Sequence, residues 1–307
     1  ELVYGPPTGD RDDRPPYGVP PGEDDPGDED PGDTLDCTDV GPTPLVVETD
    51  AELAPFVGVR CIRGTFVVDD DVTDLSPLDA LEVVEGGLFV RSTSVDPTPT
   101  VPLSALREVA SLEILGNFEW TGPIRLPALE RVTTGSLTLG GTMSELEFPR
   151  LVEVGGGVWI RPSPDLTLLS FPVLETVGSS FRAEFVTGVR ELSLPVLDTL
   201  SGDLELSYVG LQDGFDLPRL ASLDSFEIDH VSATSLDGFA PVTLTGDLSI
   251  STNLPLVDIT SLNSLTSVGG DLSIVWNSNL PTAQADDLVM RLQGLGFTGA
   301  VDVQGND

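Results

Sequence analysis

From residue 60 onward one short pattern returns every twenty-odd residues, and this constrains the fold more than any other feature. The unit is a five-residue strand of small–x–apolar–x–apolar form, then a turn. The first apolar position recurs at Phe66, Leu88, Leu112, Leu137, Val158, Phe181, Leu204, Phe226, Leu248 and Leu272, with gaps between 21 and 25 residues. Two residues on, Val68, Val90, Ile114, Leu139, Ile160, Ala183, Leu206, Ile228, Ile250 and Ile274 are apolar as well. A period of two places both members on one face of a strand. A unit this small cannot bury its own apolar face, so neighbouring units must stack into one continuous core. The second half of the unit reads x-Pro-x-Leu-x-x-Val, as in Leu126-Pro-Ala-Leu-Glu-Arg-Val132 and Phe148-Pro-Arg-Leu-Val-Glu-Val154. Pro falls between the pentads and never inside them, as sheet hydrogen bonding demands. The expectation is an all-β solenoid, a right-handed β-helix of about ten coils, roughly 45–50 Å long at strand spacing.

A solenoid exposes unpaired edges at its ends and needs caps. Thr49-Asp-Ala-Glu-Leu-Ala-Pro-Phe56 offers a helix start, with Thr49 or Asp50 as N-cap. Toward the other end Ala285, Leu288, Val289 and Leu292 have helical spacing with Gly294 as the stop, and Gly299-Ala-Val-Asp-Val303 reads as a closing strand. Residues 1–36 differ in kind: 12 acids, 2 Arg, 8 Pro and almost no large apolar residue. Such a segment buries too little surface to fold and is expected to serve as a disordered acidic tether. The expected organisation is therefore a tether over 1–36, an N-terminal cap over 37–60, solenoid repeats over 61–280 and a C-terminal helix-and-strand cap over 281–307.

The chain carries 51 acids against 14 basic residues, every one of them Arg. Phosphate neutralisation needs a basic face, so nucleic acid is excluded as a partner, and so is direct docking on anionic lipid. The acidity favours solubility, cations or a salty environment. The tail lacks EF-hand spacing, so no cofactor is expected and any calcium would be weakly held. No run of eighteen apolar residues is present to span a membrane, and the start lacks a charged-then-apolar leader, so any export leader is expected to be already removed. Cys37 and Cys61, the two cysteines, fit a disulfide in an oxidising compartment; the alternative is two buried thiols.

Two stretches carry a family resemblance. Leu262-Asn-Ser-Leu-Thr-Ser-Val-Gly-Gly-Asp-Leu-Ser-Ile-Val-Trp-Asn277, and the opening Cys61-Ile-Arg-Gly-Thr-Phe66, resemble the receptor L-domain family of leucine-rich β-helical modules. Long versions occur in bacterial surface and lipoprotein sequences. The resemblance covers about residues 37–307. It implies an extracellular or outer-surface protein that binds partners through a variable face. Most coils depart from the family by lacking Asn after the strand, with Asn117, Asn253 and Asn277 as exceptions, and Ala283 stands where a terminal Cys would be expected. Tyr4-Gly-Pro-Pro7 and Tyr17-Gly-Val-Pro-Pro21 are similar to segments near the mature start of some bacterial lipoproteins, which implies a lipid anchor ahead of the N-terminus.

Motifs for catalysis are sparse. The lone histidine, His230, sits beside Asp229, and no nucleophile elbow, His-x-x-x-His pair or phosphate loop accompanies it. Asp69-Asp70-Asp71 with Asp203, Asp247 and Asp271 offers a remote parallel to calcium-dependent β-helix enzymes that cleave acidic polysaccharides. An acidic substrate would, however, meet 39 acids against 12 Arg in residues 37–307. The expectation is a binding or adhesion module rather than an enzyme. Residues alternating with the core positions must point outward, and that face changes along its length. Its early and middle coils carry Phe89, Arg91, Leu115, Trp159, Arg161 and Arg182; later ones carry Glu184, Glu205, Glu227 and Asp229 before turning Ser-rich. Arg and aromatic residues are enriched at interface hot spots, so the first group is the candidate binding face for a protein or glycan partner. A self-associating surface coat is the alternative reading.

Overall fold

The structure, a computed structural model, describes residues 35–91, 103–116 and 122–307. The tether apart from residues 35 and 36, both Tyr-Gly-Pro segments and Asn117 lie outside the described residues. Residues 35–307 form an all-β parallel solenoid of about ten coils. Its principal ladder runs β1 (Leu45–Thr49), β2 (Phe66–Asp71), β3 (Val83–Val90), β4 (Glu108–Leu115), β5 (Leu137–Gly140), β6 (Val158–Ile160), β7 (Phe181–Val186), β8 (Leu204–Val209), β9 (Phe226–Asp229), β10 (Leu248–Ser251), β11 (Leu272–Val275) and β12 (Val301–Gln304). Every recurring apolar position pairs with the next in register, from Phe66 opposite Leu88 to Leu248 opposite Leu272. All of these positions are buried. A one-residue slip would turn every one of them to solvent, so the shared burial fixes the register.

The x-Pro-x-Leu half of each unit is a corner. The amide of Leu151 donates to the Phe148 carbonyl at 3.4 Å, and Leu129, Leu174 and Leu197 donate in the same way to Leu126, Phe171 and Leu194. These are four-residue turns, and Pro at the second position presets the backbone angle they require. The residue before Pro and the Leu after it are both buried, so each corner fastens the chain to the core at two points; Phe148 and Phe171 stack within that core at 5.1 Å. Two-residue strands follow the corners, with Val132, Val154, Val177 and Leu200 in register. A further five-stranded ladder (Ile124–Arg125, Glu145–Glu147, Leu168–Ser170, Glu191–Ser193, Gly214–Asp216) precedes them. That ladder lies outside the expected repeat unit, although its alternation of apolar and polar residues immediately before each Pro is visible in the sequence.

The ends extend the ladder further than expected. Within the segment assigned as an N-terminal cap, β1 is itself a rung, with Leu45 opposite Phe66. Thr49 then caps α1 (Asp50–Leu53) by accepting the Glu52 amide. Asp50 turns away to accept from the amide and hydroxyl of Thr73 and the amide of Asp74. At the other end α2 (Thr282–Gly294) buries Ala285, Leu288, Val289 and Leu292, and β12 pairs with β11. The helix stop differs from the expectation: Gly294 is still helical, and Gly296, at φ +103°, supplies the left-handed turn. Cys37 and Cys61 are bonded to each other across the first coils. Asn253 and Asn277 are buried just after their strands: the Asn253 carboxamide accepts the Val231 amide at 2.7 Å and donates to the Ile228 carbonyl, and the Asn277 carboxamide accepts the Asn253 amide. These bonds satisfy corner groups that a parallel strand leaves open. No helix among the described residues is long and apolar enough to cross a membrane.

Candidate binding face

The pleat of the principal ladder projects one column of side chains outward between the buried positions. Register places Val67, Phe89, Glu113, Thr138, Trp159, Arg182, Glu205, Glu227, Ser249 and Ser273 in that column, each opposite the next. Two members are not available as surface: Val67 is buried beside the Phe89 rung, and Thr138, at 8 % exposure, is buried beside the Trp159 rung. The two aromatic residues share a local device. Phe89 follows Gly87 by two residues and Trp159 follows Gly157 by two, and a Cβ on either glycine would collide with the ring. The glycines let each ring lie back against the strand.

The predicted Arg residues gather on those rings. The Arg91 guanidinium stands 5.2 Å from the Phe89 ring centre and its Nε is 2.5 Å from Glu113 Oε1. Arg161 and Arg182 stand 5.5 and 5.9 Å from the Trp159 ring centre. Such placements over a ring are attractive through its quadrupole. Arg182 also pairs with Glu205 at 2.7 Å and lies 3.8 Å from Asp203. Among the described residues Arg161 has no carboxylate at ion-pair distance, and its guanidinium stands by the Trp159 ring. Trp159 remains 37 % exposed. The six candidates thus fall into two clusters: Phe89 with Arg91, and Trp159 with Arg161 and Arg182. Leu115 pairs in register with Gly140, and a Cβ on Gly140 would collide with Arg161 and touch Leu115, which sets Leu115 beside the second cluster.

Beyond Arg182 the face turns acidic. Glu205 sits opposite Glu227, and burial, with Asp203 and Glu227 adding to it, raises its pKa despite Arg182. The aspartates considered for calcium have a visible structural task. Asp203 accepts the Ser225 amide, Asp247 the Asp271 amide at 2.6 Å, and Asp271 the Ala300 amide, each bonding the corner of the next coil. His230 Nδ1 lies 2.7 Å from Asp229 Oδ2, while the Ser251 hydroxyl donates to Asp229 Oδ1. The carboxylate therefore stands between hydroxyl and imidazole, the wrong order for an imidazole to activate a serine.

One further column was not expected from the sequence. One residue past the second outward position, Phe185, Tyr208, His230, Thr252 and Trp276 all adopt left-handed backbone, with φ between 53° and 60°. Phe185 stacks on Tyr208 at 4.6 Å, and Tyr208 on His230 at 4.3 Å. The available signal was an aromatic residue two positions past the pentad in successive coils, Phe185 and Tyr208, which lies outside the pentads that define the repeat. No protein-family model, curated protein or solved structure matches this chain.

Proposed function

We propose that this chain is a non-catalytic binding module of the extracellular or outer cell surface. In this reading it presents the outward face of the principal ladder to a protein or glycan partner. The observation that carries the reading is Trp159, held back against Gly157, partly exposed and flanked by two guanidiniums, one of which has no carboxylate at ion-pair distance among the described residues. In a chain with 51 acids and 14 Arg, an Arg left available to a ligand runs against the composition. The order hydroxyl–carboxylate–imidazole at Ser251, Asp229 and His230 supports the non-catalytic part. The receptor L-domain resemblance of Leu262–Asn277 and Cys61–Phe66 supports placing the module among surface binders. The test is a pull-down from the native surface with the full chain and with Trp159→Ala plus Arg161→Ala. Loss of the captured partner with an unchanged melting curve is the expected result; undiminished capture refutes the reading.

A further inference from the structure

The position that carries the aromatic column holds no side chain in two described coils. In register its members are Gly116, Gly141, Pro162, Phe185, Tyr208, His230, Thr252, Trp276 and Gly305, with positive φ at Gly141, at the five residues from Phe185 to Trp276 and at Gly305. From Phe185 to His230 the rings stack at 4.6 and 4.3 Å, so each ring covers a face of its neighbour. At Gly116 and Gly141 no side chain continues the stack, and none can be accommodated at Gly141, where φ is +131° and a Cβ would collide with the Gly116 carbonyl. The result is a slot of about 440 Å³ at the end of the stack, floored by Gly116, Gly140 and Gly141 and walled by Leu115, Pro162 and Phe185. That volume falls in the range of small-ligand sites. Phe185 lines the slot and Tyr208 does not, so the ring that ends the stack is the one presented to an occupant.

Charge narrows the occupant. Among the described residues the slot is lined by no carboxylate, in a chain with 51 of them, and its one charged lining residue is Arg161. Arg161 therefore faces both the Trp159 ring and the slot with its charge unpaired by any described acid. Glu184, in the next coil beside Arg161, does not line the slot, and charges beyond about 8 Å are largely screened at physiological ionic strength, so Arg161 is the charge an occupant meets inside the slot. Apart from Arg161 and the Thr142 hydroxyl the lining is Leu115, glycine, Pro162, Pro164 and Phe185, a mainly apolar surface that suits an aromatic ring better than a neutral sugar.

We infer that the slot receives an aromatic side chain from an acidic peptide segment of a partner protein. The ring packs in the slot over its glycines, against Pro162 and Phe185, and a neighbouring carboxylate pairs with Arg161. This deepens the proposed function by naming the partner's chemistry, and it rests on that reading for Arg161 alone.

A random heptapeptide display library selected on the full chain tests it, followed by fluorescence anisotropy of the enriched peptides. The expected consensus is an aromatic residue with Asp or Glu within two positions. Phe185→Asn suits left-handed backbone and so preserves the fold; it should weaken these peptides by roughly tenfold or more. Phe185→Tyr should retain them, Arg161→Gln should weaken those with the carboxylate most, and Trp276→Ala, several rungs away, should change nothing. A basic consensus, no enrichment, or binding indifferent to Phe185→Asn overturns the inference. The two proposals fail separately. If Trp159→Ala plus Arg182→Gln abolishes capture of the surface partner while Phe185→Asn does not, the face stands and the slot falls. If Phe185→Asn abolishes peptide binding while Trp159→Ala plus Arg182→Gln leaves surface capture untouched, the slot stands and the face falls.

Discussion

Left-handed backbone at Phe185, Tyr208 and His230 sets two opposing energies against each other within single residues. A non-glycine residue there costs about 1–2 kcal/mol, whereas a stacked aromatic pair returns about 0.5–1.5 kcal/mol. The stack and the strain nearly cancel, so His230→Gly, which removes both, is expected to move stability by less than about 1 kcal/mol in urea titration. A loss of several kcal/mol would mean that the imidazole holds the corner through its bond to Asp229. The Asp50 and Glu205 carboxyls offer a contrast in sign. Hydrogen bonding from Thr73 holds the Asp50 pKa below its ordinary value, so the stabilisation from Asp50 is present above the unfolded-state pKa and disappears as pH falls through the lower folded one. Glu205 is the reverse: burial raises its pKa, so its ionised form weighs against the fold near neutrality and that burden lifts on acidification. Glu205→Gln should accordingly melt at or above the native temperature at pH 7. The difference should close as the pH drops below the raised carboxyl pKa, even though the substitution removes the pair with Arg182. A lower melting temperature at pH 7 would show the Arg182 pair outweighing the burial.

At the level of the coil, the corner is the element that makes each unit reproducible. Leu151 is fully buried, its amide closes the turn on Phe148, and the next residue, Val152, is 37 % exposed. Leu151→Ala is expected to cost about 2–5 kcal/mol, Val152→Ala less than about 0.5 kcal/mol. Hydrogen exchange at Val154 and Val177, whose short strands follow corners, should report both. This corner and the principal ladder were legible in sequence because their residues repeat by type: Leu and Val return at fixed offsets, and Pro marks the turn. The candidate face was legible as a column, since pleating alone sends Trp159 and Arg182 outward. What sequence could not show was grouping. Arg161 and Arg182 come from successive coils, more than twenty residues apart, and meet on Trp159 only because the coils are in register. The slot was harder still. It is made by glycines, and Gly116 and Gly141 signal it by the side chains they lack. The N-terminal rung β1 was hidden for another reason: Leu45-Val-Val-Glu-Thr49 lacks the small residue and the turn that frame the later pentads, so only the pairing of Leu45 with Phe66 identifies it.

Over the whole molecule, each coil touches only its neighbours, so stability is closer to a sum of coil interfaces than to one cooperative value. The disulfide therefore has a place as well as a magnitude. Cys37 and Cys61 are 24 residues apart, and Thr38 and Asp39 pair with Ile62 and Arg63 in the same coils. Constraining a loop of that length stabilises a fold by roughly 3 kcal/mol in the chain-entropy description. In a cooperative globule that loss would be spread over every residue. In a stack it falls on the coils beside the bond, because the C-terminal coils keep α2, β12 and their own interfaces. Reduction with alkylation should therefore raise amide exchange in β1 and β2 by one to two orders of magnitude, about 1.4 kcal/mol per decade. Exchange from β9 through β11 should stay unchanged, and the slot beside Leu115 should show an intermediate response. A uniform rise along the whole ladder would show that the solenoid unfolds as one unit, and the disulfide would then support the binding face as directly as it supports the first coil.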